Sequence, residues 1–507
     1  MSLFARKSID ELRADAFSEG EHALKRSLTA MNLVLLGIGA IIGAGIFVLT
    51  GTAAARNAGP AVVISFVVAG LGCLFAGLCY AEFAAMIPIA GSAYTYSYAT
   101  LGEFVAWIIG WDLILEYLFG AATVAAGWSG YVNNMLRSIG VDLGPQWTNP
   151  PGRLVQVPGS DGWVRHTEEL AQSLAAQGVN IATLPQANGG FNLVAALGIG
   201  IITCLLILGI KESARFNNVA VAIKLAVVGA FILAGGYYVL THFGQAMDNW
   251  TPFIPENTGP RQFGFDGIVA AGGVIFFAYI GFDAVSTTAQ EAKNPKRDMP
   301  IGILGSLVIC TVLYVLFAYV LSGVAPVSDF RDPNIGREAS VAYAISTYMP
   351  GYEWLSRSVT VAILAGFSSV ILVMLLGQSR VFYSMSHDGL VPGVFSAVHP
   401  KYRTPYKSNW LFFLFTAAFA AFVPGDVVGE MTSIGTLFAF MLVSAGVWIM
   451  RARRPDLERG FRVPALPFVS IMGILVCGAM IYGLGWTNWL RLAGWLAIGF
   501  LFYFTYG

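Results

Sequence analysis

The sequence predicts an all-α integral membrane protein with twelve transmembrane helices. Hydrophobic residues make up 56% of the 507 residues and charged residues only 11%, whereas about a quarter of the residues of a soluble protein are charged. Apolar stretches of about 20 residues recur along the chain, and a helix of that length crosses a hydrocarbon core of about 30 Å. These observations exclude a soluble protein.

The apolar stretches give the order of the predicted spans. We place them at residues 29–57, 60–87, 102–137, 191–210, 214–241, 265–289, 301–324, 357–385, 408–424, 429–450, 465–484 and 491–506. Residues 138–190 are rich in Pro, Gly, Gln and Asp, which predicts an external loop with a short helix around Glu168 to Gln177. Residues 1–27 carry ten charged residues and no apolar core of a signal peptide, so we expect a cytoplasmic tail before one transmembrane domain, 28–507.

Basic residues predict the orientation of these spans. With the N-terminus in the cytoplasm, nineteen of the 29 lysines and arginines lie on the cytoplasmic side and nine on the opposite side. An excess of this kind is typical of cytoplasmic loops. We therefore expect a multi-pass protein of the plasma or inner membrane with both termini in the cytoplasm. The remaining basic residue, Lys224, falls inside a span.

The cysteines and histidines predict no disulfide framework, metal site or cofactor. All five cysteines fall within predicted spans, where they are expected to pack as small apolar residues, and all five histidines fall in tails, loops or a span end. The net charge of zero gives no indication of a nucleic-acid partner. No partner subunit is evident, and membrane lipid is the expected surrounding.

The first span contains glycines that favour a broken helix. Gly39, Gly43 and Gly45 fall in the stretch GAIIGAGIF, and non-helical backbone at membrane depth persists only where it lines a cavity enclosed by protein. A half-helix beginning near Ala44 to Phe47 would present free N–H groups and the positive end of its dipole to a carboxylate. The alternative is a packing face of small residues on which helices approach closely, and this span alone leaves both open.

A second interruption falls five spans later. Gly281 lies beside Asp283 in the otherwise apolar stretch VIFFAYIGFDAVSTTAQEA. Interruptions in corresponding spans of two halves indicate a transporter built from inverted repeats, with its site near the membrane midplane. A channel would more naturally show a repeated filter sequence or rings of like charge, and an enzyme would need a catalytic grouping within the spans. The sequence contains neither pattern, so we expect a transporter and not an enzyme.

Five long motifs resemble those of one permease family. They are GIGAIIGAGIFVLTG at 37–51, CYAEFAAMIPIAGSAYTYSYATLGE at 79–103, GWDLILEY at 110–117, FFAYIGFDAVSTTAQEAKNPKRDMPIGI at 276–303 and SRVFYSMSHDGLVP at 379–392. In this order they resemble the amino acid, polyamine and organocation superfamily, specifically the cationic amino acid transporter branch and its bacterial homologues. The resemblance implies a LeuT-like fold of five-plus-five inverted repeats, with spans 1 and 6 broken, followed by two extra spans.

The resemblance also implies an activity and a substrate site. It implies secondary active uptake of an amino acid, which we expect to be coupled to protons; sodium symport and amino acid exchange on the same fold are the alternatives. The substrate carboxylate would meet backbone amides around Ile42, Gly43, Ala44 and Gly45. The substrate ammonium would meet carbonyls around Phe276, Phe277 and Ile280. Phe277 is a lid over the substrate or, alternatively, one more core aromatic.

Two further side chains are predicted near the substrate. Glu116 is a carboxylate within a span, which favours a substrate-side or proton-linked role over simple solvation in a vestibule. Asp112 lies one turn away on the same face. The resemblance places Met374 at the pocket for the substrate side chain, where a thioether favours small or apolar side chains over the guanidinium that the branch name implies. The alternative is that Met374 only packs the helix.

Lys224 is the predicted ion-coupling residue. It lies about eleven residues into its span, on the order of 16 Å along the helix, and a lysine at that depth demands a partner or a role. The alternative is a side chain that snorkels to the interface. By resemblance, its amine would occupy the place of sodium in sodium-coupled relatives, bound to carbonyls near Gly39 to Ile42 and to the hydroxyl of Ser368 or Ser369.

Overall fold

The computed structural model describes residues 5–8, 26–43, 45–157, 163–176, 178–331, 340–483 and 486–506, and these residues are mostly helical. The α-helices are α1 Ala30–Ile41, α2 Thr50–Ala53, α3 Val62–Met86, α4 Ser92–Thr100, α5 Glu103–Ile114, α6 Gly120–Ser138, α7 Pro145–Thr148, α8 Glu168–Ala176, α9 Leu193–Leu208, α10 Ile210–Thr241, α11 Phe243–Trp250, α12 Gly264–Phe276, α13 Pro295–Val324, α14 Ser340–Tyr348, α15 Glu353–His387, α16 Tyr406–Phe422, α17 Gly425–Arg453, α18 Leu466–Gly483 and α19 Trp486–Tyr506.

Short turns of other helix types join several of these helices. The π-helical turns are Gly45–Leu49, Ala54–Ala58 and Leu115–Phe119. The 3₁₀ turns are Gly59–Ala61, Ile181–Thr183, Phe277–Tyr279, Asp283–Glu291, Val327–Arg331 and Gly393–Ser396. Turns of these types inside longer helices often mark functional sites or hinges.

Seven helical stretches in the described residues are long and apolar enough to cross a membrane. They are Ala30–Met86, Glu103–Ser138, Ile210–Thr241, Gly264–Glu291, Pro295–Val324, Glu353–His387 and Thr432–Arg453. The count becomes eight if Leu466–Tyr482 and Trp486–Tyr506, bent by 107°, form one span. The first stretch covers two of the predicted spans, and α9 and α16, with 16 and 17 residues, fall short of the length required of a full span. The structure therefore contains helices at all twelve predicted places.

The expectation of an all-α chain is wrong in the external loop. Three short strands, β1 Gly152–Gln156, β2 Trp163–Arg165 and β3 Gln186–Gly189, form an antiparallel sheet in the order β2-β1-β3. A small apolar cluster, Val155, Val157, Leu170 and Leu174, packs between this sheet and α8. The strands were missed because their polar and glycine residues read as turn signals. The predicted short helix is present as Glu168–Ala176, while Gln177 lies outside the described residues.

The central helices pack around the two interruptions. Helix α13 packs against α1 and α3, α10 against α15, and α15 also against α6. All five cysteines, which lie within the described residues, are free thiols: four are buried, and Cys204 is exposed on α9. The broken segments and the lysine of α10 therefore lie inside one helical core.

Three ionic contacts hold the predicted cytoplasmic ends of the helices. Glu82 at the end of α3 accepts hydrogen bonds from Arg451, from Arg459 Nε at 3.1 Å and from the backbone N–H of Val463 at 2.7 Å. Lys7 of the tail pairs with Asp388. Arg380 falls near the cytoplasmic end of the predicted span 357–385, and its side chain is 0% exposed and paired with Glu291.

Candidate functional site

The first interruption follows α1. The helix starts at a capping box between Thr29 and Asn32 and ends at Ile41, because Ile42 has an extended backbone with ψ of 96°. The chain resumes helical structure as the π-helical turn Gly45–Leu49. Ala44 lies outside the described residues. The carbonyls at the end of α1 and the amides at the start of the next turn therefore lack the usual continuation of the helix.

The glycines of this interruption leave space for neighbouring groups and do not adopt left-handed dihedral angles. Gly37, Gly39 and Gly43 have φ values outside the left-handed region. A Cβ on Gly39 would lie 2.0 Å from Asn217 Oδ1, and a Cβ on Gly43 would lie 2.7 Å from Val370 Cγ2. These glycines are therefore required by the close approach of neighbouring groups and not by a left-handed backbone.

The second interruption follows α12. That helix ends at Phe276, continues as the 3₁₀ turn Phe277–Tyr279, and then turns at Ile280, whose ψ is 136°. Gly281 has φ of 110°, which an L-residue with a side chain rarely adopts, and a Cβ there would lie 2.8 Å from the Ala40 Cβ. Glycine is therefore required at this position both by conformation and by contact with α1.

The two interruptions touch each other. A Cβ on Gly45 would lie 2.1 Å from the Cβ of Ala278 and 2.5 Å from its Cα. The hydroxyl of Tyr314 on α13 lies 2.8 Å from the carbonyl oxygen of Ile41 and 2.9 Å from that of Ala278. A single hydroxyl therefore joins the end of α1 to the turn after α12.

A narrow cavity lies between the interruptions. Its volume is ≈ 20 Å³, close to the space that one water molecule needs. It is lined by Ala40, Ile41, Gly43, Gly45, Gly120, Val124, Phe277, Ala278, Ile280, Val370, Met374 and Thr432. Among the side chains of these described residues, the Thr432 hydroxyl is the one polar group. The cavity is therefore small and its lining is almost entirely apolar.

Five of the residues predicted for the substrate site line this cavity, and three described ones do not. The lining includes Gly43, Gly45, Phe277, Ile280 and Met374. The others are Ile42, whose carbonyl faces Lys224; Phe276, whose ring is buried against Phe440 at a centroid distance of 5.9 Å; and Glu116. The roles assigned to all of these residues stay predictions.

Lys224 reaches the first interruption from α10. Its Nζ donates to the carbonyl of Gly39 at 2.9 Å, to the carbonyl of Ile42 at 2.7 Å and to Ser369 Oγ at 2.9 Å. The side chain is 0% exposed, so the snorkelling alternative does not describe this structure. Because an ammonium has three N–H donors and no acceptor, these three acceptors satisfy it completely.

Ser368 and Ser369 of α15 make different hydrogen bonds. Ser369 Oγ accepts from Lys224 and lies 2.8 Å from the carbonyl of Gly39 and 2.7 Å from that of Gly366. Ser368 Oγ instead donates to the carbonyl of Leu364, one turn back on its own helix, at 2.8 Å. Of the two hydroxyls expected as lysine partners, the structure brings only Ser369 to the amine.

Glu116 lies in a second polar group on the side of the predicted cytoplasm. It occupies the π-helical turn Leu115–Phe119 and neighbours Asp283 and Thr436. The adjacent Tyr117 donates its hydroxyl to Asp283 Oδ2 at 2.7 Å. Asp112 is also fully buried, beside Gly435 of α17. These carboxylates therefore lie outside the lining of the cavity.

Sequence reasoning missed a buried ion pair. Arg380 Nη2 lies 3.1 Å from Glu291 Oε1, and Arg380 Nε lies 3.3 Å from Glu291 Oε2. The Glu291 carbonyl also accepts from the amides of Ser27 and Leu28 at 2.8 and 2.9 Å. Both residues belong to the motifs quoted above. A charged residue at the end of an apolar stretch was the sequence signal that could have indicated this pair.

Two interrupted helices that meet at a cavity inside a helical membrane protein are typical of membrane transporters. Within that class, residues 28–499 match the amino acid permease family. The chain belongs to this family, as its motifs indicated. Its similar proteins are named permeases and transporters, which agrees with the expectation that it is not an enzyme.

Curated relatives cover almost the whole chain. It is 44% identical to the branched-chain amino acid permease BcaP of Bacillus subtilis, over 100% of this chain and 97% of that protein. It is 40% identical to the methylthioribose transporter of the same organism, over 100% and 98%. It is 35% identical to the vacuolar cationic amino acid transporter 4 of Arabidopsis thaliana, over 90% and 68%.

Proposed function

We propose that the chain is a secondary active transporter that takes up amino acids with small or apolar side chains, in symport with protons, across the plasma or inner membrane. We further propose twelve spans in two inverted repeats of five, followed by two extra spans, with both termini in the cytoplasm. Residues 1–27 are then the cytoplasmic tail and 28–507 the transmembrane domain. The observation that carries the proposal is the Lys224 amine bound at the broken end of α1.

The backbone at the two breaks supports an amino acid as substrate. The turn that starts at Gly45 presents amide groups and the positive end of a helix dipole, which favour a carboxylate. The end of α12 presents carbonyls around Phe276, Phe277 and Ile280, which favour an ammonium. Because the breaks lie against each other, both charged groups of one amino acid can be bound by backbone atoms alone.

The cavity lining supports a small or apolar side chain. Val124, Val370 and Met374 present only hydrocarbon and thioether groups, which cannot satisfy the N–H donors of a guanidinium. The relative BcaP is named for branched-chain amino acids, which agrees with this lining. The plant relatives named for cationic amino acids support the less favoured choice of a cationic substrate.

Lys224 supports proton coupling over sodium coupling. Its charged form satisfies the carbonyl oxygens of Gly39 and Ile42 at the end of α1, as a bound cation would. A neutral amine has one donor fewer, so loss of the proton weakens the contact between α10 and α1. Protonation thereby favours one conformation of the broken helix over the other.

The remaining alternatives are sodium symport and amino acid exchange. Transport of methylthioribose is a second candidate because of the relative of that name, and the thioether of Met374 suits a methylthio group. These alternatives differ from the proposal in driving ion or in ligand, so one uptake assay separates them.

The experiment is uptake by the purified full-length protein in proteoliposomes. We expect labelled leucine or alanine to accumulate under an inward proton gradient, more weakly without it, and equally with or without sodium. Accumulation that requires sodium would contradict proton coupling. Counterflow without any accumulation would identify an exchanger, and competition by methylthioribose but by no amino acid would overturn the proposed substrate class.

A further inference from the structure

We propose that Gly120 sets the size of the substrate side chain, together with Thr432 on the facing helix. This inference rests on the proposed function, since it concerns the side-chain end of the same cavity. The absence of a side chain at Gly120 provides the space that limits the size of the substrate side chain. It adds two specificity-determining residues to Met374.

Gly120 faces the cavity because of the turn before it. It is the first residue of α6 and follows the π-helical turn Leu115–Phe119, which adds a residue to the helical repeat and rotates the rest of the helix about its axis. Val124 lies four residues later on the same face, and both residues line the cavity. The α6 wall of the pocket is therefore a valine beside a residue with no side chain.

Three helices converge on the space in front of Gly120. A Cβ on this residue would lie 3.5 Å from Thr432 Cγ2 of α17 and 3.9 Å from Met374 Sδ of α15. Both distances are ordinary van der Waals contacts, so an alanine fits without moving the backbone. The added methyl would occupy cavity space and not strain the fold, which distinguishes Gly120 from Gly45 or Gly127, where a Cβ would lie under 3.0 Å from a neighbour.

The test is Gly120→Ala in the full-length protein, with Gly229→Ala as the matched control. Gly229 lies on α10, and a Cβ there has no heavy atom within 4 Å. We expect Gly120→Ala to weaken binding and uptake of leucine and methionine about tenfold or more, because one methyl group in an apolar pocket changes discrimination by about 10–200-fold. Alanine uptake should stay within about threefold, and Gly229→Ala should change neither substrate.

A second substitution tests the mechanism itself. Thr432→Ser removes the methyl group that the new Cβ would contact, so Gly120→Ala combined with Thr432→Ser should regain leucine uptake. Equal losses for leucine and alanine, or no loss for either, would overturn the inference. If the wild-type protein binds no amino acid in a thermal-shift assay, the proposed function itself fails, and the two failures are thereby distinguished.

Discussion

At the residue scale, Met374 is the side chain of the cavity lining that we propose to govern substrate selectivity. It is 3% exposed, and its Cε would lie 3.2 Å from a Cβ placed on Gly281. Its thioether therefore fills the space between the second break and α15. Serine at this position would open space and add a hydroxyl that accepts hydrogen bonds from a cationic side chain.

We expect Met374→Ser to raise arginine or lysine uptake relative to alanine, by about tenfold in the ratio. Competition for labelled alanine in proteoliposomes measures this ratio. Met385→Ser is the control, since Met385 lies on the same helix against the Gly110 backbone and away from the cavity. An unchanged ratio in Met374→Ser would leave Met374 with a packing role only.

Substitutions of Gly43 and Gly45 distinguish a substrate-binding break in the first span from a packing face of small residues. The Cβ of a residue at 43 would meet a side-chain tip, Val370 Cγ2, whereas a Cβ at 45 would meet the Ala278 backbone. We expect Gly43→Val to abolish substrate binding with the fold retained, and Gly45→Val to lose both. Thermal unfolding in detergent, with and without substrate, measures the two effects. Ordinary affinity in Gly43→Val would favour the packing face.

The site could be predicted at this scale only in part. The depth of Lys224 in an apolar span required a partner, and the resemblance supplied the region of contact. The resemblance could not distinguish Ser368 from Ser369, because consecutive residues of a helix point about 100° apart around its axis. Gly120 and Thr432 escaped notice because a glycine and a threonine in an apolar stretch resemble ordinary packing residues.

At the element scale, the sequence located the interruptions and missed their form. Gly281 beside Asp283 marked the break after α12 to within a few residues. The π-helical and 3₁₀ turns around the breaks depend on contacts with α3, α13 and α15, which no local pattern contains. The same is true of the external sheet, whose strands are held by a cluster drawn from distant parts of the loop.

The Glu291–Arg380 pair fixes the second half of the broken span to α15. Both side chains are at most 1% exposed, so removing one charge leaves the other buried and unpaired. We expect Glu291→Gln to reduce the free energy of unfolding by about 3–5 kcal/mol. Denaturant unfolding in detergent measures this. Lys296→Ala, which breaks the exposed pair with Glu458, is the control and should cost less than about 1 kcal/mol.

A smaller cost for Glu291→Gln than for Lys296→Ala would contradict this account of the pair. A double-mutant cycle with Arg380→Met refines the test, because the second substitution removes the unpaired charge. The double variant should then be more stable than Glu291→Gln alone.

At the scale of the whole molecule, we propose that one buried amine links proton binding to the shape of the substrate site. The amine contacts α1 on one side and α15 on the other, and α15 also carries Met374 of the cavity lining. Composition alone predicted the membrane fold, and periodic apolar stretches predicted its helices. The contacts of Lys224 with α1 and α15 could be predicted only by resemblance, because they depend on the meeting of three helices far apart in the chain.

The test of this proposal is uptake driven by an imposed pH gradient in proteoliposomes, with wild type, Lys224→Ala and the control Lys211→Ala. The control removes an exposed lysine at the start of the same helix. We predict that Lys211→Ala accumulates substrate like wild type. Lys224→Ala should lose the response to the pH gradient and keep substrate counterflow, which requires no net proton movement. Accumulation by Lys224→Ala that follows the pH gradient as in wild type, even at a lower overall rate, would contradict proton coupling through Lys224.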